Sequence, residues 1–470
     1  MDPEHGCIDL GGAYVGQKQK RVLKLVKEFG LELYNINEKE KTVLNFRNSW
    51  SKFSGVIPPF WNPIKLLDLN HVLRTIDNMA KEIPADAPWK APKAEEWDAM
   101  TMKEFINKIC WTSTTKELLR IMIEAVFTVE PWEVSLLYVL WSIGSGGGVE
   151  QVVSVEGGAQ EMKIIGGTQQ LSVKLAEKLG NAVKLSTPVV CIEQTDDNVI
   201  VTDLHGNKYK GRFVISAVPQ TLLSRITFRP ELPPLRQQLI QRIPMGSIIK
   251  TNMFYSTAFW REEDMCGTAL SDSGPVAACI DDTKPDGSHP SIMGFILADR
   301  AREMVSMTAE ERKQALCEHY AKAFRSKKFL YPIGYRENNW MAEEYSGGCY
   351  TIYTPPGVLT KYGRYLFQPV GKIFFAGTET STVWSGYIEG AIQAGERAAS
   401  EVLYEMNLIK KEEVWQEESS FDITSSEPWT IESILPSVTN IFHFVGCIGL
   451  SYILYKFYPI LLNAIQNWSI

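Results

Sequence analysis

Histidine is scarce in this chain, with six in 470 residues, and no two stand at the spacing by which metal ligands converge on one ion. No C-x-x-C pair occurs among the eight cysteines, at 7, 110, 191, 266, 279, 317, 349 and 447. Neither a zinc site nor a disulfide framework is indicated, and a reducing compartment is the simpler reading. Basic excess is missing too: 48 Lys+Arg face 55 Asp+Glu, a net charge of -7. Nucleic acid is therefore not expected as a partner. The opening residues, MDPEHGCIDLGGAYVG, have neither the basic nor the apolar region of a signal peptide. No internal repeat is visible.

What is present is ordinary globular composition, 45% hydrophobic and 22% charged, in a chain long enough for two or three domains. One long apolar run stands at the end, residues 438–465, broken by Lys456. It is long enough to span a bilayer if Lys456 reaches an interface. It follows an acidic linker bearing Pro and Ser, so a membrane span is favoured over a buried core helix. The five residues after Ile465 make it a tail anchor, with the bulk of the chain on the cytosolic side.

The remaining pattern is α/β with a helical insertion. Residues 17–29 predict a helix with Val22, Leu25, Val26 and Phe29 on one face, ended by Gly30, and residues 31–36 a strand. Residues 64–143 are mostly helical, with Thr101 and Glu104 as a capping box. GSGGGVEQ is expected to be a flexible stretch. A helix should follow Gly167 with Leu171, Leu175 and Leu179 inward. Strands are predicted at 182–185, 189–194, 199–204, 213–218, 246–255, 292–298 and 372–375, with a turn at 205–207. Thr308 and Glu311 cap a helix to about Phe324, and residues 388–406 form a helix rich in small residues.

Three segments carry the chemistry: YSGGCY (345–350), KIFFAGTET (372–380) and WSGYIEGAIQAGERAA (384–399). With DLGGAYVG, EIPADAPWKAPKAEEWD, GSIIKTN and DDTKP, and in this order, they resemble the flavin-containing amine oxidases, closest to the monoamine oxidase branch. The resemblance runs to about residue 435 and implies a two-domain fold. Residues 1–33, 165–239 and 343–405 would form a discontinuous FAD-binding domain. Residues 34–164 and 240–342 would form a substrate domain with mixed sheet and helices, followed by a linker (406–436) and a C-terminal transmembrane helix (437–465).

The resemblance implies a role for each matching residue. Cys349 would bond FAD covalently as an 8α-S-cysteinyl link; a thiolate is the strongest side-chain nucleophile at neutral pH, although a free cysteine is most often simply buried. Tyr350 and Tyr387 would be two walls of an aromatic cage that attracts and aligns the amine; core tyrosines are the bland alternative. Lys250, a lysine among apolar neighbours in GSIIKTNMF, would hold a water against flavin N5, the alternative being an edge lysine in solvent. Trp340 would pack beside the flavin ring. Val189 would meet the adenine end, and Glu379, Thr380 and Gly386 would line the ribityl and pyrophosphate side. Gly11, Gly12 and Ala13 would approach from the N-terminal side.

Tyr14, Val153, Gln160, Ala278, Phe295 and Ile296 match substrate-cavity positions, and Pro58 and Pro59 an entrance loop. Val153 and Ala278 are smaller than the family's usual residues there, Ile or Phe and Tyr or Ile. That implies a wider cavity. No metal is implied.

A flavoprotein of this kind is expected to open with a strand, G-x-G-x-x-G and a helix. The chain lacks that motif; GSGGGV at 144–149 breaks the pattern and follows a helix. The expectation is thus an FAD domain truncated at its N-terminus by roughly one βαβ unit, about 30 residues. The implied activity is FAD-dependent oxidative deamination of primary aryl or alkyl amines to aldehydes, with ammonia and hydrogen peroxide released. Partners are the amine, O2 and the lipid bilayer, with room for a homodimer. The location implied is the cytosolic face of the mitochondrial outer membrane, with the endoplasmic reticulum as alternative, because Lys456 is the only Lys or Arg in residues 412–470. The competing function is a flavin-free, membrane-tethered, non-enzymatic relative. A polyamine oxidase relative is disfavoured by SGGCY.

Overall fold

The computed structural model describes residues 4–47, 49–55 and 62–414. Pro58, Pro59 and the apolar run at 437–465 lie outside them, and no helix among the described residues is long and apolar enough to cross a membrane.

A seven-stranded sheet organises one half. Its order is Gly334–Asn339, Ile248–Phe254, Ser291–Leu297, Ala278–Asp281, Met265–Ser271, Lys41–Phe46, Ser49–Phe53. Neighbours are antiparallel except Met265–Ser271 with Lys41–Phe46. The second strand, IIKTNMF, is buried along its whole length. Side chains alternate between faces. Ile249 and Met253 face a core that contains Ile292 and Ile296 from the neighbouring strand, Leu316 and Tyr320 from the helix Ala309–Ala323, and Phe324 at that helix's C-cap. Each such aliphatic burial contributes about 1.5–3 kcal/mol. Lys250 and Asn252 point to the opposite face.

The predicted helical block is present. Pro63–Ala80, Met102–Ile109, Ser113–Phe127 and Leu136–Ser145 pack around Val72, Ile76, Leu119, Ile123, Leu137 and Trp141. The Thr101/Glu104 capping box forms, and so does the one at Thr308/Glu311. Leu136–Ser145 is apolar on nearly all sides, as a central helix must be. Ile352, Leu359 and Leu366 join this core from the C-terminal part of the chain.

The other half is divided among smaller sheets. One joins Tyr14–Val15, Met162–Ile164 and Leu33–Asn35; a second joins Thr227–Arg229, Val189–Gln194, Val199–Asp203 and Lys208–Gly211; a third pairs Ile373–Phe375 with Val214–Ser216 in parallel. The helix Ile388–Glu405 packs on Lys20–Glu28, where Glu389 accepts from the backbone N–H groups of Arg21 and Val22 (3.0 and 2.9 Å). A carboxylate there suits the positive end of the helix dipole.

Three expectations need correction. GSGGGVEQ is not a loose stretch: Gly146 and Gly148 close the end of Leu136–Ser145, and Val149–Val153 is helical, its first N–H donating to Asp77 (2.8 Å). In the helix Gln169–Leu179 only Leu171 is inward; Leu175 and Leu179 are exposed. Periodicity identified the stripe, but its C-terminal part meets no other layer. Residues 182–185 are not a strand: a short 3-10 turn, Gly180–Ala182, leads out, and Leu185 is 83% exposed.

Candidate active site

The sheet register sets one side of the site. Lys250 stands opposite Phe295, and Phe295 opposite Ala278, so three sequence-predicted residues share one row on one face. Ile296 does not join them: it points into the core with Ile249 and Ile292, because adjacent residues of a strand face opposite ways. Lys250 is not an edge lysine. It is 3% exposed, and its Nζ donates to the Gly11 carbonyl (2.8 Å). The rings of Tyr14 and Phe295 lie 5.8 and 5.6 Å from the ammonium. Burial, aided by the charge of Lys163, pulls its pKa down to about 8.

The segment before Tyr14 closes over this row. Trp340 stands over Gly11 and donates its indole N–H to the Leu10 carbonyl (2.8 Å). Ala13 is buried, Gly12 is exposed, and the Tyr14 hydroxyl reaches the sulfur of Met293 (3.3 Å). Cys349 and Tyr350 arrive from the loop after Trp340. The Cys349 N–H donates to Gly246 O (3.0 Å), and its carbonyl accepts from the Thr128 hydroxyl (2.6 Å). Burial raises the Cys349 thiol to about 12, against the nearby Lys250 cation, which favours the thiolate. The Tyr350 phenol is pushed well up by burial and then by Cys349, Tyr14 and Tyr387.

Tyr387 caps the helix Ile388–Glu405, its ring meeting Trp384 edge to face at 5.1 Å. Thr378 fixes this corner, donating to the Tyr387 carbonyl (3.1 Å) and accepting from Gly386 N (2.7 Å). Glu379 is 7% exposed, and burial raises its pKa to about 6. Thr380 is fully buried and accepts from Arg397 (2.7 Å). Gln160 donates to Val152 O (3.1 Å), while its own carbonyl oxygen is buried with no donor. Val153 ends the short helix Val149–Val153 and packs partly against the helical core. Val189 is more remote: it packs against the cluster of Ile192, Ile373 and Phe375 that supports the strand leading to Glu379.

Sequence reasoning did not assign the ion network beside this site. Lys163 is 2% exposed, opposite both Tyr14 and Tyr34, and bonds Asp282 at 2.5 Å, with Asp9 at 3.7 Å. Asn252, two residues from Lys250 on the same face, donates to Asp282 (2.9 Å). Burial works against the Asp282 carboxylate, but Lys163 and Lys284 outweigh it and hold its pKa at about 2. The signal was available: Lys163 sits in MKII, an apolar setting like that of Lys250. Thr128 and Gly246 carry no such mark.

Residues 5–403 match the family model described as flavin containing amine oxidoreductase. The chain is 50% identical to flavin-containing amine oxidase B of Mus musculus over 444 residues, 93% of this chain and 85% of that one. It is also 50% identical to flavin-containing amine oxidase A of Canis lupus familiaris, covering 93% and 84%. Among solved structures it resembles cyclohexylamine oxidase from Brevibacterium oxydans IH-35A, with a TM-score of 0.80 at 28% identity, covering 85% of this chain and 88% of that one. Putrescine oxidase bound to putrescine gives 0.81 at 26% identity, covering 84% and 88%.

Proposed function

Because this chain belongs to the flavin containing amine oxidoreductase family, we propose that the row carrying Lys250 and the loop carrying Cys349 and Tyr350 are the active site of an FAD-dependent oxidase that deaminates primary amines. The two-domain flavin amine oxidase fold supports this. FAD would supply the acceptance of two electrons from the amine and their passage to O2. The residues present fit such a group: Lys250 and Trp340 both bond the Leu10–Gly11 backbone, and an orphaned buried oxygen on Gln160 suits an amine donor. The buried Lys250 cation is the single observation that carries the reading, since its cost calls for a function.

Tyr350 and Tyr387 offer aromatic faces to the incoming amine. Lys250 would hold a water beside the flavin ring and keep a positive charge there. Cys349 would hold FAD covalently, Trp340 and Gly11–Ala13 would border its ring, and Val189, Glu379, Thr380 and Gly386 its nucleotide side. Tyr14, Val153, Gln160, Ala278 and Phe295 would line the amine path, with Ala278 leaving room for bulkier amines. The domain division stated above belongs to the same proposal, as do attachment to the mitochondrial outer membrane through residues 437–465 and the mitochondrial location itself.

Supplying the full chain with FAD and a panel of primary amines tests the activity. Amine-dependent hydrogen peroxide and aldehyde in equal amounts are expected. A chain that binds FAD yet forms neither product would refute it.

A further inference from the structure

The loop that carries Cys349 is gripped by a residue with an unusual backbone. Thr128 follows the helix Ser113–Phe127 with φ 57° and ψ 31°, a left-handed conformation that a β-branched side chain strongly disfavours. It is fully buried. Its hydroxyl lies 2.6 Å from the Phe127 carbonyl and 2.6 Å from the Cys349 carbonyl, 221 residues away in sequence. Its own carbonyl accepts from Ser247 N (2.9 Å). The neighbouring Gly246 accepts from Cys349 N (3.0 Å) and donates to Thr351 O (3.2 Å). The approach is so close that a Cβ on Gly246 would fall 1.8 Å from the Thr128 hydroxyl and 2.5 Å from the Cys349 carbonyl.

We propose that Thr128 is a positioning residue for Cys349, gripping its carbonyl so that the sulfur is presented at the reacting carbon of the flavin. This rests on the covalent reading of Cys349 given above. Gly246 fixes the amide side of Cys349, and Thr128 fixes the carbonyl side. The sulfur then hangs from the clamped backbone by one side-chain torsion, so the clamp sets its reach. In the bond-forming step the Cys349 sulfur gives an electron pair to the flavin 8α carbon. The thiol proton and one C–H proton are released, and the two electrons pass to O2, which leaves with the protons as hydrogen peroxide.

Thr128→Val keeps the shape and removes the hydroxyl; Thr128→Ser keeps the hydroxyl. The flavin-free full chain is mixed with FAD in air, and flavin surviving acid precipitation is followed over time. Incorporation should slow about tenfold in Thr128→Val, the scale of one lost buried hydrogen bond, and recover in Thr128→Ser. Alkylation of Cys349 by iodoacetamide, read on its peptide without flavin, should change several-fold in Thr128→Val while Cys7 is unaffected. Should Thr128→Val not fold, Thr128→Ala removes the same group. Equal incorporation and equal alkylation in wild type and the hydroxyl-free variant would overturn the proposal, as would Thr128→Ser behaving like Thr128→Val. A wild-type chain that takes up no covalent flavin would refute the Cys349 reading instead, and the alkylation rates would then judge Thr128.

Discussion

The two halves of the molecule solve the same problem differently. In one half a seven-stranded sheet buries a continuous apolar face and uses the other as a wall, so the shared row of Lys250, Phe295 and Ala278 follows from register alone. In the other half the strands fall into sheets of three, four and two, tied by side chains. Glu389 caps the helix Lys20–Glu28, and Arg397 joins Phe375 O to Thr380 and pairs with Glu401. The Lys163–Asp282 pair bridges the halves, from the three-stranded sheet to the end of Ala278–Asp281. Register thus positions the face that carries Lys250, while buried charges hold the other half against it.

This contrast can be broken at the bridge first. Asp282→Asn leaves Lys163 charged and buried, and should cost about 3–5 kcal/mol in denaturant unfolding. A loss below about 1 kcal/mol would show the halves to be held by packing alone.

Glu379→Gln sharpens the comparison in the half with the smaller sheets. The folded-state pKa of Glu379, about 6, lies above its usual 4.5. The native state therefore binds the extra proton between those values, and stability is lost as pH rises through that window. The variant should be about 2 kcal/mol more stable at pH 7 and little changed at pH 4. An equal effect at both pH values would remove burial as the cause.

On the register side, Ala278→Tyr should fill the row beside Phe295 and shift kcat/KM toward slim benzylic amines by about tenfold. An unchanged substrate ranking would take Ala278 out of the cavity. The smallest effect is expected at Leu179→Glu. That side chain is 61% exposed, so thermal stability should move by no more than about 0.5 kcal/mol. A larger loss would mean the face is covered after all.

Local signals made much of this legible. Alternation located Ile248–Phe254 to within two residues at its start, and both Thr–Glu capping boxes marked their helices. Lys250 and Tyr14, far apart in sequence, meet with the ammonium 5.8 Å from the ring. What sequence could not carry was direction and distance. Period-2 alternation sends Ile296 away from Phe295 once the core face is known, yet both looked like cavity residues. Leu175 and Leu179 continue the helical stripe of Leu171 past the point where anything packs on it. Strands such as Lys41–Phe46 and Met265–Ser271 depend on pairing across more than 220 residues, which no local pattern announces. Thr128 is legible only as a backbone angle and a contact.

The most direct test is where the flavin is held. The full chain, supplied with FAD, is precipitated in acid, washed and digested, and its peptides are weighed. The account predicts flavin mass on the peptide that contains Cys349. Flavin that washes out completely, or that appears on a different cysteine, would contradict it.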